Sequence, residues 1–197
     1  MITERDRIVL KHIDEFGYIT LKQAVFIAYN NIGYGYDYAR RRMNKLKQQW
    51  KLKCHRSMIL NCNIYYFDDS KKNPSLHRHL SMEYYCKLIS CNAKIEYFQR
   101  EKVWADNTDH RCISDICCIF TLGSTRYYNL VEINVSHNKL NLKRFDTVLP
   151  YVKQGFNKNV VPMLVLIDDT VHKGYDTNVY EVRRVNYDMS NINEIFA

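Results

Sequence analysis

The first third of the chain has the pattern of three helices. Residues 4–16 carry apolar side chains at near-helical spacing among charged positions, and Gly17 follows as a stop signal. Thr20 is suited to cap a second helical stretch over residues 21–29. After the turn-like sequence NNIGYG, a third helix is predicted over residues 37–49. Its inward stripe consists of Ala39, Met43 and Leu46.

Two short strands follow the third helix directly. The segment KCHRSMILNCNIYYFDD predicts a hairpin whose turn lies around residues 61–63. Three helices followed at once by a hairpin is the element order of a winged helix-turn-helix, in which the third helix enters the major groove of DNA. We therefore expect a winged helix-turn-helix DNA-binding domain over residues 1–72.

The remaining two thirds alternate between helical and strand-like patterns. This layout predicts an α/β (α+β) fold, with a small mixed sheet in a second domain over residues 73–197. Helices are predicted over residues 75–90 and 140–153, and strands over residues 95–100, 113–121, 127–135, 160–169 and 179–185.

Composition excludes several classes of protein. Hydrophobic residues make up 46% and charged residues 25% of the 197 positions, which argues against a disordered or low-complexity chain. No apolar run is long enough to span a membrane and the start is charged, so we expect a cytoplasmic protein without membrane contact. Seven scattered cysteines without a CxxC pair, and histidines without ligand spacing, favour core residues over disulfides or a metal site.

Positive charge is concentrated towards the amino-terminal end. The net charge is +8, and residues 1–74 contain 14 Lys/Arg against 7 Asp/Glu, whereas residues 75–197 contain 15 against 14. Between residues 36 and 56 there are eight cations and one anion, Asp37. A density of this kind indicates a polyanionic partner, and we expect double-stranded DNA.

The third helix and the hairpin supply the candidate DNA contacts. From such a helix, arginine and lysine reach guanine acceptors and phosphates, asparagine pairs with adenine, and tyrosine hydroxyls donate to phosphate. Two other interpretations stay open: a merely solvated basic surface, and a winged helix that binds proteins. The candidate DNA-binding residues are Tyr36, Tyr38, Arg40, Arg41, Arg42, Asn44, Lys45, Lys47, Lys51, Lys53 and Arg56.

Two carboxylates stand on neighbouring predicted strands of the second domain. Asp115 precedes ICCIF and Glu132 lies in NLVEINV, so facing strands can bring both to one end of the sheet. Paired carboxylates that bind Mg²⁺ are what metal-dependent phosphodiester hydrolysis requires. The order of a helix, an aspartate strand, a glutamate strand and a helix resembles the core of PD-(D/E)XK nucleases.

One position departs from that nuclease pattern. The triplet is EIN where the family has Glu-x-Lys, and Asn134 carries no positive charge to stabilise a developing oxyanion. Lys139 or Lys143 could substitute for the lysine, and Glu83 is either a further ligand or an exposed helix residue. We expect a degenerate nuclease-like domain without a cofactor. Mg²⁺ and catalytic roles for the two carboxylates belong to the alternative, an active endonuclease.

The chain as a whole resembles the replication-relaxation family of Gram-positive plasmids and integrative elements, which includes mobilisation accessory proteins of the MobC type. The matching pieces, from about residue 4 to residue 167, are RDRIVLKHIDEFGYITLKQAVFIAY, YARRRMNKLKQQWKLK, LHRHLSMEYYCKLI, SDICCIF, and NLVEINVS followed by LKRFDTVLPYV. Several members have an aspartate strand, a glutamate strand and a helix ending in a tyrosine, here Tyr151. The resemblance implies binding of origin-region DNA and assistance to a relaxase or a replication initiator in opening the duplex.

Three functions remain as expectations. The first is a DNA-binding accessory protein of plasmid mobilisation and conjugation, a relaxosome component without chemistry of its own. The second is a Mg²⁺-dependent DNA endonuclease. The third is a plasmid or phage transcriptional repressor that uses the same first domain. A homodimer that matches two DNA half-sites is compatible with each of them.

Overall fold

A computed structural model describes residues 1–49, 52–105, 111–136, 141–170 and 174–196. The chain divides into two compact units, Met1–Ser90 and Cys91–Ala197. Both contain helices and strands, so the mixed α/β class expected from the sequence is confirmed. No helix in these ranges is both long and apolar enough to cross a membrane.

The helices of the first unit are α1 (Glu4–Phe16), α2 (Leu21–Ala24), α3 (Gly35–Gln49) and α4 (Leu76–Ser90). Helices α1 and α2 begin at residues that carry capping signals. The Thr3 hydroxyl accepts from the backbone N–H of Asp6, and the Asp6 carboxylate accepts from that of Thr3. Gly17 ends α1 with a φ of 87°, which glycine adopts without strain. Thr20 and Gln23 form the equivalent capping box of α2.

A three-stranded antiparallel sheet completes the first unit. Its strands are β1 (Tyr18–Thr20), β2 (Lys53–Ser57) and β3 (Cys62–Tyr66), in the order β1-β3-β2. Strands β2 and β3 form the predicted hairpin, but its turn spans residues 58–61 and not residues 61–63. The turn lies earlier because the ladder pairs Ser57 with Cys62, and Asn61 makes the reversal with a φ of 47°.

The division between the units falls after Ser90, whereas the sequence pattern placed it after residue 72. Helix α4 stays with the first unit because side chains tie it to that unit's backbone. The guanidinium of Arg78 donates to the carbonyl of Phe16 at 2.7 Å, and the Tyr18 hydroxyl donates to the carbonyl of Arg78 at 3.4 Å. The polar segment before α4 is therefore a connection within one unit.

The apolar stripe of α3 determines which side of the helix faces the core. Ala39, Met43 and Leu46 are fully buried, as predicted, in one cluster with Val9 and Ile13 of α1. An amphipathic helix that buries one stripe must present its other side chains to solvent. The core of the first unit thus determines which residues of α3 a partner can reach.

Gly35 opens α3 where the backbone is crowded. A Cβ atom at this position would overlap the carbonyl oxygen of Tyr29. Tyr29 is the last residue of a π-helical turn, Val25–Tyr29, that continues α2. Only glycine therefore allows α3 to begin this close to the preceding helical segment.

The second unit is built on a five-stranded mixed sheet. Its strands are β4 (Lys94–Ala105), β5 (Arg111–Leu122), β6 (Thr125–Ile133), β7 (Met163–Ile167) and β8 (Val182–Val185), in sequential order. The first three are antiparallel neighbours, and β6, β7 and β8 run parallel. Strand β4 extends beyond the predicted residues 95–100.

Helix α5 (Lys143–Phe156) connects β6 to its parallel neighbour β7. Its buried residues Phe145, Val148 and Val152 belong to one cluster with Leu130 and Leu164 of the sheet. The crossover is needed because parallel strands cannot be joined by a tight turn. It leaves the carboxyl ends of β6 and β7 side by side at one edge of the sheet.

Candidate nucleic-acid interface and carboxylate cluster

Helix α3 presents most of the predicted DNA-binding residues to solvent. They lie outside its buried stripe and combine phenolic, amide and cationic groups. We call them the outer face of α3, which consists of Tyr36, Tyr38, Arg40, Arg41, Asn44, Lys45 and Lys47, all exposed.

The cations of this outer face have little internal compensation. Arg40 lies 3.2 Å from the carboxylate of Asp37, with both side chains more than half exposed. Such a surface pair contributes about 0.2–1 kcal/mol and is easily exchanged for a phosphate. Arg41 donates weakly to the carbonyl of Asp37, at 3.4 Å. The outer face therefore remains a field of positive charge, as phosphate binding requires.

Arg42 is the exception on α3 and corrects the prediction made for it. Its guanidinium donates to both carboxylate oxygens of Asp6, which is fully buried, and its own side chain is only 14% exposed. Burial alone would raise the pKa of Asp6, but hydrogen bonds from Arg42 and Thr3 hold that pKa below its ordinary value. Arg42 therefore serves the fold and not a partner.

The hairpin carries two further predicted contacts. The Nζ atom of Lys53 lies 2.5 Å from the carboxylate of Asp69, so this exposed cation is already paired. Arg56 is exposed and donates to the side-chain carbonyl of Asn61 at 2.6 Å, which leaves its charge uncompensated. The predicted contact Lys51 lies outside the described residues. Arg56 is thus the cation that the hairpin presents.

The hairpin turn ends in apolar side chains. Met58 is 87% exposed and Ile59 is 69% exposed. We call these two residues the hairpin tip. Single exposed apolar residues are ordinary on a protein surface, and here two of them are adjacent at the apex of a hairpin.

Glu83 fits neither alternative considered for it from the sequence. It is 1% exposed, and it belongs to the first unit and not to the unit of Asp115 and Glu132. The Nζ atom of Lys22 lies 2.7 Å from its carboxylate, and Nε2 of His79 lies at 3.9 Å. Burial lowers the pKa of His79, which favours the neutral ring. Glu83 and Lys22 therefore form an ion pair of the first unit in which the carboxylate is buried and the lysine is about half exposed.

In the second unit, Asp115 and Glu132 lie side by side as predicted. The ladder of β5 and β6 pairs Ile116 with Val131, so the two acidic residues face each other one step further along. The backbone N–H of Asp115 donates to Glu132 at 3.4 Å, and the carboxylate of Asp115 accepts from the backbone N–H of Ile133 at 2.7 Å. The two strands therefore hold the carboxylates together.

Arg144 of α5 contacts this pair. Its guanidinium forms an ion pair with Glu132, which is 3% exposed. Burial raises the pKa of Glu132 to about 8, the negative charge of Asp115 adds to the rise, and Arg144 opposes it. Lys143, named as a lysine substitute, is exposed, and Lys139 lies outside the described residues. The cation at this site is thus the arginine next to the predicted lysine.

Asn134 stands where a PD-(D/E)XK nuclease has its lysine, and its amide is occupied. It donates to the carboxylate of Asp168 at 2.6 Å, and both residues are buried. The other carboxylate oxygen of Asp168 accepts from the backbone N–H of Thr170 at 2.6 Å. Tyr187 donates to the backbone carbonyl of Asn134. These bonds connect the ends of β6 and β7 instead of leaving a group to activate water.

The donor set of the carboxylate cluster does not fit a magnesium ion. Mg²⁺ requires ionised oxygen ligands in near-octahedral geometry. Here one carboxylate is paired with Arg144 and the other accepts a backbone N–H. Within the described ranges, no group of three or more His, Cys, Asp or Glu residues could hold a metal.

The sequence analysis missed Arg144, Asp168 and Asp6. Asp168 had a usable signal, since it is the first polar residue after the apolar run VLI and neighbouring strands end near each other. Arg144 had none, because Lys139, Lys143 and Arg144 offer equivalent cations within a short stretch of the sequence. The pairing of Asp6 with Arg42 joins residues far apart in the chain and could not be deduced from spacing.

Comparisons with protein-family models, with curated proteins and with solved structures found no match for this chain.

Proposed function

We propose that the first unit is a winged helix-turn-helix that binds double-stranded DNA. The carrying observation is the outer face of α3, where exposed cations lie outside a fully buried apolar stripe. The element order of three helical segments and a hairpin, and the strand order β1-β3-β2, support this assignment. In this arrangement α3 is the recognition helix and the β2–β3 hairpin is the wing.

Each side chain of the outer face has a role in this proposal. Arg40, Arg41, Lys45 and Lys47 neutralise phosphates or reach guanine, and Asn44 pairs with an adenine edge. Tyr36 and Tyr38 donate their hydroxyls to the backbone at the start of the helix. Arg56 approaches a neighbouring phosphate from the wing. Arg42 takes no part.

We propose further that the protein is an accessory factor of a mobile element and acts beside a relaxase or a replication initiator. This part rests on the resemblance to the replication-relaxation family. The second unit supports it through Asp115 and Glu132, which lie on neighbouring strands that are followed by helix α5, as in the pattern that resembles PD-(D/E)XK nucleases. With Asn134 and Arg144 in the site, we assign this unit a contact role, as a degenerate nuclease-like domain.

Loss of three outer-face cations tests DNA binding directly. The variant Arg40→Ala/Arg41→Ala/Lys45→Ala should bind a fluorescent duplex of about 30 base pairs at least about tenfold more weakly than the wild type. Each lost phosphate contact removes about 0.9 from the slope of log K against log salt, so the slope should fall by about 2 to 3. Fluorescence anisotropy at several salt concentrations measures both quantities.

A matched control variant tests whether DNA binding depends on the outer face of α3 or only on the net positive charge. Arg5→Ala/Arg7→Ala/Lys11→Ala removes the same charge from exposed positions of α1. It should retain most of the affinity and the full salt slope. Equal losses in the two triple variants, or a wild type that does not bind the duplex at all, would refute the assignment of α3.

A magnesium-dependent endonuclease is the second candidate, and one observation favours it: the adjacency of Asp115 and Glu132. The ion pair of Glu132 with Arg144 and the occupied amide of Asn134 count against it. We therefore propose DNA binding as the first candidate function and DNA cleavage as the second.

A further inference from the structure

The hairpin tip is exposed although its two side chains are apolar. Met58 and Ile59 project at 87% and 69% exposure from the turn between β2 and β3. Leaving such groups in water forfeits the free energy that their burial would provide. The DNA contacts proposed above, which are polar and cationic, give them no role.

The turn that carries the tip is braced. The Ser57 hydroxyl accepts from the backbone N–H of Leu60 at 3.3 Å, directly beneath the tip. Arg56 donates to Asn61 at 2.6 Å across the base of the turn, and Asn61 has a left-handed backbone. Hydrogen bonds within the hairpin therefore hold the turn, next to the last pair of the β2–β3 ladder, Ser57 with Cys62.

The residues that follow the tip in the hairpin turn lie beside the start of α3. A cavity of about 370 Å³ is lined by Tyr36 of the outer face together with Arg56, Leu60 and Asn61 of the hairpin. The start of α3 and the hairpin turn thus share one surface. A duplex that lies along α3 and meets Arg56 comes within reach of the tip.

We propose that the hairpin tip is a wedge that enters DNA between adjacent base pairs, unstacks them and bends the duplex. The ligand is the apolar face of a base pair, reached from the minor groove, and the flanking Arg56 holds the phosphate beside it. Architectural proteins use apolar side chains in this way, and the energy of burying them offsets the cost of unstacking. The proposal rests on DNA binding by the first unit and adds what that unit does to DNA.

The experiment uses the full chain and one labelled duplex. The duplex has about 30 base pairs, a central TA step whose adenine is replaced by 2-aminopurine, and a donor and acceptor dye at its ends. Wild-type protein should increase 2-aminopurine fluorescence through unstacking and shorten the end-to-end distance. Met58→Ser/Ile59→Ser should lose both signals and bind no more than about tenfold more weakly, because the phosphate contacts remain. Both positions are exposed, so the substitutions should leave the fold intact.

Two control variants define the chemistry of the wedge. Met58→Leu/Ile59→Leu keeps apolar side chains and should restore unstacking and bending. Val103→Ser/Val161→Ser changes two comparably apolar residues of the second unit, 44% and 43% exposed, and should behave as the wild type.

The outcomes distinguish the wedge proposal from the proposal of DNA binding on which it rests. Wild-type protein that binds the duplex without unstacking or bending it would overturn the wedge and leave DNA binding standing, whereas failure to bind would remove both. Distortion that persists in the serine variant would also overturn the wedge. If light scattering gives a dimer for the wild type and a monomer for the serine variant, with no distortion of DNA, the tip joins two copies of the chain instead.

Discussion

The outer face of α3 and the carboxylate cluster of the second unit use their polar groups in opposite ways. On the outer face of α3, cations project into solvent, and Arg40 is paired there with the exposed carboxylate of Asp37. In the second unit, Glu132, Asn134 and Asp168 are buried and satisfied by the protein itself. The comparison teaches that a set of chemically suitable residues becomes a site only where the fold leaves their bonding capacity to a partner.

Arg41 and Arg42 are neighbours on α3, but Arg41 is exposed and Arg42 is paired with a buried carboxylate. Substituting Arg42 should have the largest effect of those predicted here. Arg42→Ala leaves the buried carboxylate of Asp6 without its cation, which should lower the free energy of unfolding by about 3 kcal/mol. Arg41→Ala should weaken DNA binding and leave stability unchanged. Urea denaturation followed by circular dichroism measures the first effect, and anisotropy measures the second. The contrast fails if both variants keep wild-type stability, or if Arg42→Ala is stable but loses DNA binding.

The protonation of Glu132 should make the stability of the protein depend on pH. Its pKa in the folded chain, about 8, lies above its value in the unfolded chain, so the unfolded chain releases this proton first as the pH rises. The contribution of Glu132 to stability is therefore present at low pH and is lost between about pH 4.5 and pH 8. Glu132→Gln mimics the neutral form, so its stability relative to the wild type should grow by about 2–4 kcal/mol between pH 4 and pH 8.5.

The same titration has a direct measurement and a control. Carboxyl resonances in the NMR spectrum give the midpoint of Glu132, and Glu181→Gln provides an exposed acidic residue for comparison. A midpoint of Glu132 near the ordinary glutamate value would show that the buried cluster does not suppress ionisation.

The smallest expected effect is in catalysis. Because Glu132 is paired with Arg144 and Asn134 with Asp168, wild-type protein and Glu132→Gln should leave supercoiled plasmid equally intact in the presence of Mg²⁺ or Mn²⁺. Agarose gels that separate nicked from supercoiled plasmid measure this. Metal-dependent nicking by the wild type that Glu132→Gln abolishes would reverse the comparison and make the second unit an enzyme.

The sequence pattern predicted what depends on local periodicity. The buried stripe of α3, the hairpin, and the facing positions of Asp115 and Glu132 all follow from spacing along helices and strands. What could not be predicted depends on contacts between distant segments. The burial of Arg42 requires α1, the burial of Glu83 requires Lys22 of α2, and the identity of the cation on Glu132 depends on how α5 is rotated against the sheet.

Gly35, at the start of α3, limits which substitutions this helix can accept during evolution. Residues on the exposed side of the helix can be exchanged without disturbing the core. Position 35 has no such freedom, since any side chain would push the helix off the Tyr29 carbonyl. An alignment of relatives should therefore show an invariant glycine directly before the most variable stretch of the molecule.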